Sequence, residues 1–345
     1  MSKIKVGISV GDLNGIGLEV IIKTFKDSRM MDFCTPIIFG ASKVTSLYKK
    51  TIGIQDFNFN IINNINEANS KKVNLINIWN EDIDIRLGDA CSKSGELAFK
   101  SLNKASEALK NGDIDVLVTS PINKASIQEK IKSFIGHTEF LQGNFNGDAL
   151  MIMTSEIMKI AFVTSHIPLT EVKKEITKEN ILNKTKKLNT SLIEDFGIRK
   201  PKIAILGLNP HAGENGLLGN EENHHIIPAI SKLKDENIIV FGPYPADSFF
   251  TSKNLKHFDG ILSMYHDQGL TAFKTLSFSD GVNYTAGLNV IRTSPVHGTA
   301  YDIAGKGVAD EKSFRQAIFM ACDIHKKRAE FKLLNKNSQQ FISKK

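Results

Sequence analysis

The stretch Ile4-Lys5-Val6-Gly7-Ile8-Ser9-Val10, followed by Gly11-Asp12-Leu13-Asn14-Gly15-Ile16-Gly17, decides the fold. A short, nearly continuous apolar run ends in a glycine-rich turn, and from Gly17 to Asp27 apolar residues return at helical spacing. A strand apolar along its whole length suits a parallel sheet covered by helices on both faces. Working outward, the same unit recurs. Pro36–Phe39, Asp115–Thr119, Lys159–Thr164, Lys202–Leu206, Ile238–Phe241 and Asp259–Ser263 read as further strands. Ser94–Asn111, Thr177–Asp195, Glu221–Glu236 and Glu311–Phe331 read as amphipathic helices. The alternation predicts an α/β chain, and only Gly281–Pro295 loosens into a pattern that suits a hairpin or an extended loop.

Composition removes several function classes. The chain has 345 residues, 41% of them hydrophobic and 23% charged, as a soluble globular enzyme of two lobes or one large unit would have. No apolar run approaches the roughly 18 residues that cross a bilayer; Ala149–Met153 is only strand-sized. The start, Met-Ser-Lys-Ile-Lys, has no secretory h-region, so a cytoplasmic location is expected. Cys34, Cys91 and Cys322 form neither a C-x-x-C pair nor a disulfide framework and read as buried thiols. The net charge is +7, but Lys326, Lys327, Arg328, Lys332, Lys336, Lys344 and Lys345 crowd the last twenty residues against Glu330 alone. That reads as a solvated end, and neither a nucleic-acid nor a membrane partner is expected.

Polar residues gather just past the strand ends: Ser165-His166, Asn209-Pro210-His211 and Tyr265-His266-Asp267. In open α/β sheets ligands bind beyond the carboxyl ends of the strands, which gives His166, His211 and His266 a common address. Three imidazoles there make a candidate metal site with positions left open for substrate. Taken singly, each reads as well as a hydrogen-bonded loop residue. His137, before a helix, is a candidate for substrate. Lys274, Asn283 and Arg292 suit a phosphate, or are scattered surface residues. The turn Gly11–Gly17 has the spacing G-x-x-x-G-x-G without the Gly-Lys-Ser/Thr of a P-loop, and Asp12 reads as a turn or capping residue.

At these residues the sequence resembles the 4-hydroxythreonine-4-phosphate dehydrogenase family of pyridoxal phosphate biosynthesis. The likeness rests on GDLNGIGLE (11–19), GHTEFL (136–141), TSHIPL (164–169), NPHAGENGLLGNEE (209–222), GPYPADSFF (242–250), SMYHDQGL (263–270) and IRTSPVHGTAYDIAGKG (291–307). The resemblance implies a two-lobed α/β/α sandwich, isocitrate/isopropylmalate dehydrogenase-like, with the active site in the cleft between lobes. The lobes would interleave, one from 1–135 plus 280–345 and the other from 136–279.

It further implies a divalent metal, zinc or alternatively magnesium or cobalt, on His166, His211 and His266. Substrate contacts would come from His137, Thr138, Lys274, Asn283 and Arg292, in a homodimer with the metal site at the subunit interface. The segment His297, Gly298, Thr299, Ala300, Asp302 and Ile303 resembles the adenosine-binding loop of the decarboxylating dehydrogenases. An acidic residue at 302 suits a free ribose hydroxyl and favours NAD over NADP. Asp247 and Asp267 are the candidate catalytic carboxylates, for proton transfer or for orienting a histidine.

The implied reaction is metal-dependent oxidation of 4-phosphohydroxy-L-threonine at C3, followed by decarboxylation to 3-amino-2-oxopropyl phosphate. Alternatives are a paralogous dehydrogenase of threonate or erythronate 4-phosphate, a metal-dependent hydrolase of a phosphorylated ligand, and a nonenzymatic binding module. One departure stands out: Leu13, Asn14 and Leu18 replace an alanine and two prolines of the usual first loop, which puts the rigidity of that loop in doubt.

Overall fold

A computed structural model describes residues 3–342; Lys344 and Lys345 of the basic tail lie outside the described residues. Among the described residues twelve strands follow one another: β1 (Ile4–Ser9), β2 (Cys34–Gly40), β3 (Asn60–Ile62), β4 (Asn74–Asn77), β5 (Val116–Thr119), β6 (Gly147–Thr154), β7 (Lys159–Phe162), β8 (Ile203–Leu206), β9 (Val240–Tyr244), β10 (Gly260–Ser263), β11 (Val282–Leu288) and β12 (Arg292–Pro295). The chain is mixed α/β, as the alternation predicts. It divides into two compact units, Met1–Ala149 with Leu288–His325, and Leu150–Gly287 with Lys326–Lys345.

In the first unit the strand order is β3-β4-β2-β1-β5-β12 and every pairing is parallel. Val6, Ile8, Val116, Leu117 and Val118 have no solvent exposure, which is why these strands carry apolar residues on both faces. The helix Ser92–Asn111 buries Leu97, Ala98, Leu102 and Ala105 at helical spacing. It stops at Gly112, whose φ of +77° closes the end with N–H bonds to Ala108 and Leu109 carbonyls. Cys34 and Cys322 are buried, and contact with Cys322 together with burial pushes the Cys34 thiol well above its ordinary pKa. Cys91 is only half-buried, so the expectation of three buried thiols holds for two.

In the second unit β7, β10, β8 and β9 are neighbours in that order and parallel, with β6 antiparallel to β7 and β11 beyond it. Gly281–Pro295 contains the two strands β11 and β12, not an extended loop. The reading of the basic end as solvated fails at Arg328. Its Nε donates to Asp195 Oδ1 at 2.6 Å and one terminal nitrogen donates to the Tyr284 hydroxyl at 2.9 Å. Asp195 also accepts from Ser191 and Tyr284, so a buried carboxylate is satisfied from three sides. Among the described residues no helix is long and apolar enough to cross a membrane.

Candidate active site

Three neighbouring parallel strands deliver the three histidines. His166 follows β7, His266 opens the helix His266–Ser277 after β10, and His211 follows β8. The His166 and His266 ring centroids are 5.7 Å apart and tilted by 47°. Two imidazoles sharing one tetrahedral ion, with metal–nitrogen bonds of about 2 Å, stand with centroids roughly 5 Å apart, which is close to the separation of this pair. Asp267 Oδ1 lies 2.7 Å from His266 Nδ1. That contact favours a proton on Nδ1 and leaves the Nε2 lone pair available for a metal. Asp247 stands exposed on the short helix Ala246–Phe249 and has no hydrogen bond or ion pair to a described histidine.

His211 occupies an unusual turn. His211, Ala212, Gly213, Glu214 and Asn215 have φ of 51°, 51°, 80°, 43° and 56°, five consecutive left-handed residues. For L residues with a side chain this conformation costs roughly 1–2 kcal/mol each, so the surrounding chain must enforce it. Among the described residues no three His, Cys, Asp or Glu side chains are gathered closely enough to hold a metal, and His211 is exposed.

The phosphate candidates fall in both units. In the first, Arg292 opens β12 beside β5 and is 3% exposed. Its Nε and one terminal nitrogen donate to Thr119 Oγ1 at 3.0 and 2.6 Å, which fixes the plane of the guanidinium. Burial lowers its pKa to about 9, with Glu139 opposing, so it stays cationic at neutral pH. His137 begins the helix His137–Asn144 with Thr138 beside it, and His137 Nε2 is buried with no hydrogen-bond partner among the described residues. Burial first, then the charges of Arg292 and Lys124, hold His137 well below its ordinary pKa, so it is neutral. In the second unit Asn283 lies on β11 with its Oδ1 buried and unpartnered among the described residues, and Lys274 is exposed on the helix His266–Ser277.

The His137 shift has a stability consequence. Its folded pKa lies below the unfolded value of about 6.5, so below that pH the unfolded chain takes up a proton that the folded chain refuses. Stability therefore falls on acidification, by up to about 1.4 kcal/mol per pH unit for this one group. His137→Asn is expected to flatten the loss between pH 6.5 and 5 in urea unfolding; an unchanged slope would assign the acid sensitivity to other groups.

The adenosine-loop candidate lies against the first glycine turn. Ile16 N–H donates to the Thr299 carbonyl at 2.9 Å, and a Cβ on Gly15 would stand 2.7 Å from that oxygen, so glycine is required there. Ala300 is left-handed with φ 46° and starts the short turn Tyr301–Ile303. Asp302 and Gly298 are exposed, and His297 Nε2 is another buried nitrogen without a partner.

Asp12 does more than its sequence reading allowed. It accepts from Asn14 N–H at 2.9 Å as a turn residue does, but also from Ser94 Oγ at 2.6 Å and from the Tyr301 hydroxyl at 2.9 Å. Asn14 ties the departed loop to neighbouring backbone. Its side chain donates to the Asp89 carbonyl at 2.8 Å and accepts from Arg86 N–H at 3.1 Å. Leu13, Asn14 and Leu18 are all buried.

Comparison with known proteins bears on this geometry. The chain is 49% identical over 339 residues to a 4-hydroxythreonine-4-phosphate dehydrogenase of Bacteroides thetaiotaomicron, covering 97% of this chain and 93% of that one. It is 37% identical over 323 residues, 92% of this chain and 95% of the other, to a Clostridium botulinum protein provisionally named D-threonate 4-phosphate dehydrogenase. A crystal structure of 4-hydroxythreonine-4-phosphate dehydrogenase from Klebsiella pneumoniae superposes with a TM-score of 0.80 at 32% identity, covering 94% of this chain and 98% of that one. The family model described as pyridoxal phosphate biosynthetic protein PdxA matches residues 32–321, most of both units. With fold, matched span and relatives in agreement, this oxidoreductase belongs to the pyridoxal phosphate biosynthetic protein PdxA family.

Proposed function

We propose that the chain oxidises the C3 hydroxyl of 4-phosphohydroxy-L-threonine with NAD, giving 2-amino-3-oxo-4-phosphooxybutanoate, which decarboxylates to 3-amino-2-oxopropyl phosphate. The observation that carries this reading is the buried Arg292 held flat by Thr119 next to a neutral His137 whose Nε2 is buried and unpartnered. A planar cation and a hydrogen-bonding imidazole suit a phosphate monoester. Asn283 Oδ1, buried and without a partner among the described residues, is an acceptor that suits a substrate hydroxyl or ammonium group and not the phosphate, and exposed Lys274 is a point charge on a flexible stem.

A divalent ion on His166, His211 and His266, zinc or else magnesium or cobalt, would supply Lewis acidity at the substrate hydroxyl, and the nicotinamide would accept hydride. The rest is the work of this chain. Asp267, in contact with His266, orients that ring and is thereby engaged. Arg292, His137 and Thr138 fix the phosphate end, which limits the orientations open to C3. The loop His297–Ile303, braced by Asp12 and Ile16, holds the adenosine end, with exposed Asp302 available to a ribose hydroxyl.

A homodimer is the proposed working unit. Exposed Ile167 and Leu169 follow His166, and Leu217 and Leu218 follow His211, with Leu169 and Leu217 72% and 77% exposed. The Lys173–Glu221 ion pair at 2.8 Å ties the helix Leu169–Glu175 to the segment after His211, so these apolar side chains border one region.

The provisional name of the Clostridium botulinum relative favours one second reading, oxidation of threonate 4-phosphate, in which a hydroxyl replaces the amine. NADH absorbance tests both. Metal-stripped protein with NAD and 4-phosphohydroxythreonine should form NADH only after a divalent metal is restored. NADH from threonate 4-phosphate alone would move the assignment to the sugar acid.

A further inference from the structure

Glu222 has no part in the reaction outlined above, yet its carboxylate is 2% exposed and sits at the root of the turn that carries His211. Oε1 accepts the backbone N–H groups of Leu208 and Asn209 at 2.7 and 2.8 Å, and Oε2 accepts from Asn209 Nδ2 at 2.9 Å. The same Asn209 nitrogen donates to Glu221 Oε2 at 2.7 Å, and Glu221 pairs with Lys173. Glycines make room for this packing: a Cβ at Gly213 would meet Glu222 Oε2 at 2.6 Å, and one at Gly207 would stand 3.2 Å from Oε1. Two residues after Asn209 the left-handed run begins. Its far side is closed by Leu218 N–H bonding to the Gly213 carbonyl at 3.1 Å. L residues do not hold such a run unaided.

We infer that Glu222 is a positioning residue for the metal centre: by clamping the chain at Leu208 and Asn209 it holds His211 in the left-handed turn as a preformed ligand. The inference rests on His211 being a metal ligand. Glu222 is not itself a ligand, because both of its oxygens are committed to donors of the same loop. Without the clamp the turn relaxes toward ordinary backbone conformations, and an arriving ion must reorder it. Affinity for the ion then falls, while the saturated enzyme recovers its turnover.

The experiment titrates Co2+ into the metal-stripped full-length chain and reads the visible absorption of the histidine-bound ion, with turnover measured separately at saturating metal. In Glu222→Gln an amide NH2 replaces one oxygen, so one donor of the clamp faces another. Its Co2+ affinity is expected to fall by roughly 10- to 100-fold, with turnover at saturating metal within about threefold of the parent. Wild-type affinity and spectrum in this variant would overturn the inference. Should Glu222→Gln fail to fold, Asn209→Ala decides by the same two readings. His211→Ala is the control: if it binds Co2+ as the parent does, both the ligand assignment and the positioning role are wrong. If it loses binding while Glu222→Gln keeps it, only the positioning role is wrong.

Discussion

Arg292→Ala is expected to lower kcat/KM on the phosphorylated substrate about a thousandfold. Hydrogen bonds from a charged donor contribute about 1.5–3 kcal/mol each, so losing a two-pronged contact removes about 4 kcal/mol, or three decades at about 1.4 kcal/mol per decade. Burial magnifies the effect, because the 3%-exposed guanidinium competes with little water. Arg292→Lys keeps the charge but loses the planar fork that Thr119 holds in place, and should recover only part of the loss. The comparison that checks the role is a substrate analogue without its phosphate. Turnover of that analogue should be nearly the same in parent and Arg292→Ala, and an equal thousandfold loss on both would place Arg292 at the reacting centre instead.

The second large effect is on stability. Arg328→Ala is expected to destabilise the protein by about 3–5 kcal/mol, since it strands the Asp195 carboxylate, 3% exposed, without its cation. Tyr284, whose hydroxyl bonds both Asp195 and Arg328, loses a partner in the same step. Urea unfolding reads the loss. The double variant Asp195→Asn/Arg328→Leu should recover a good part of it, because a neutral site no longer buries an uncompensated charge. If the single variant unfolds at the parent's urea concentration, the buried pair contributes nothing net.

Arg328 also shows where reading a sequence stops. A run of lysines and arginines near a chain end looks like a solvated face, and the partner that buries one of them lies 133 positions away. Strands β1, β5, β7, β8 and β10 are legible because burial on both faces favours nearly continuous apolar runs. β3 and β4 are not, being short and carrying asparagine at their ends. The apolar run Ala149–Met153 is strand-sized, but nothing within it says that β6 runs antiparallel to β7.

The candidate site divides the same way. His166, His211 and His266 are legible because each follows a strand, and β7, β10 and β8 prove to be neighbours. The contacts around the candidate residues are hidden because they are remote. Asp12 meets Ser94 and Tyr301 across separations of 82 and 289. Thr119 steadies Arg292 across 173. Glu222 is nearer to His211 in the chain, but its signal lies in left-handed backbone angles that no residue pattern displays.

The position of β12 in the first unit bears on how the chain is born. β5 needs β12 as its parallel neighbour, yet β12 leaves the ribosome only after residues 150–287 of the other unit have been made. Until then the edge of β5, Val116–Thr119, offers its unpaired backbone groups to any passing strand. Vectorial synthesis therefore leaves a nascent first unit waiting while the second is completed, and the shortness of the four-residue β5 edge limits its exposure to aggregation during that interval.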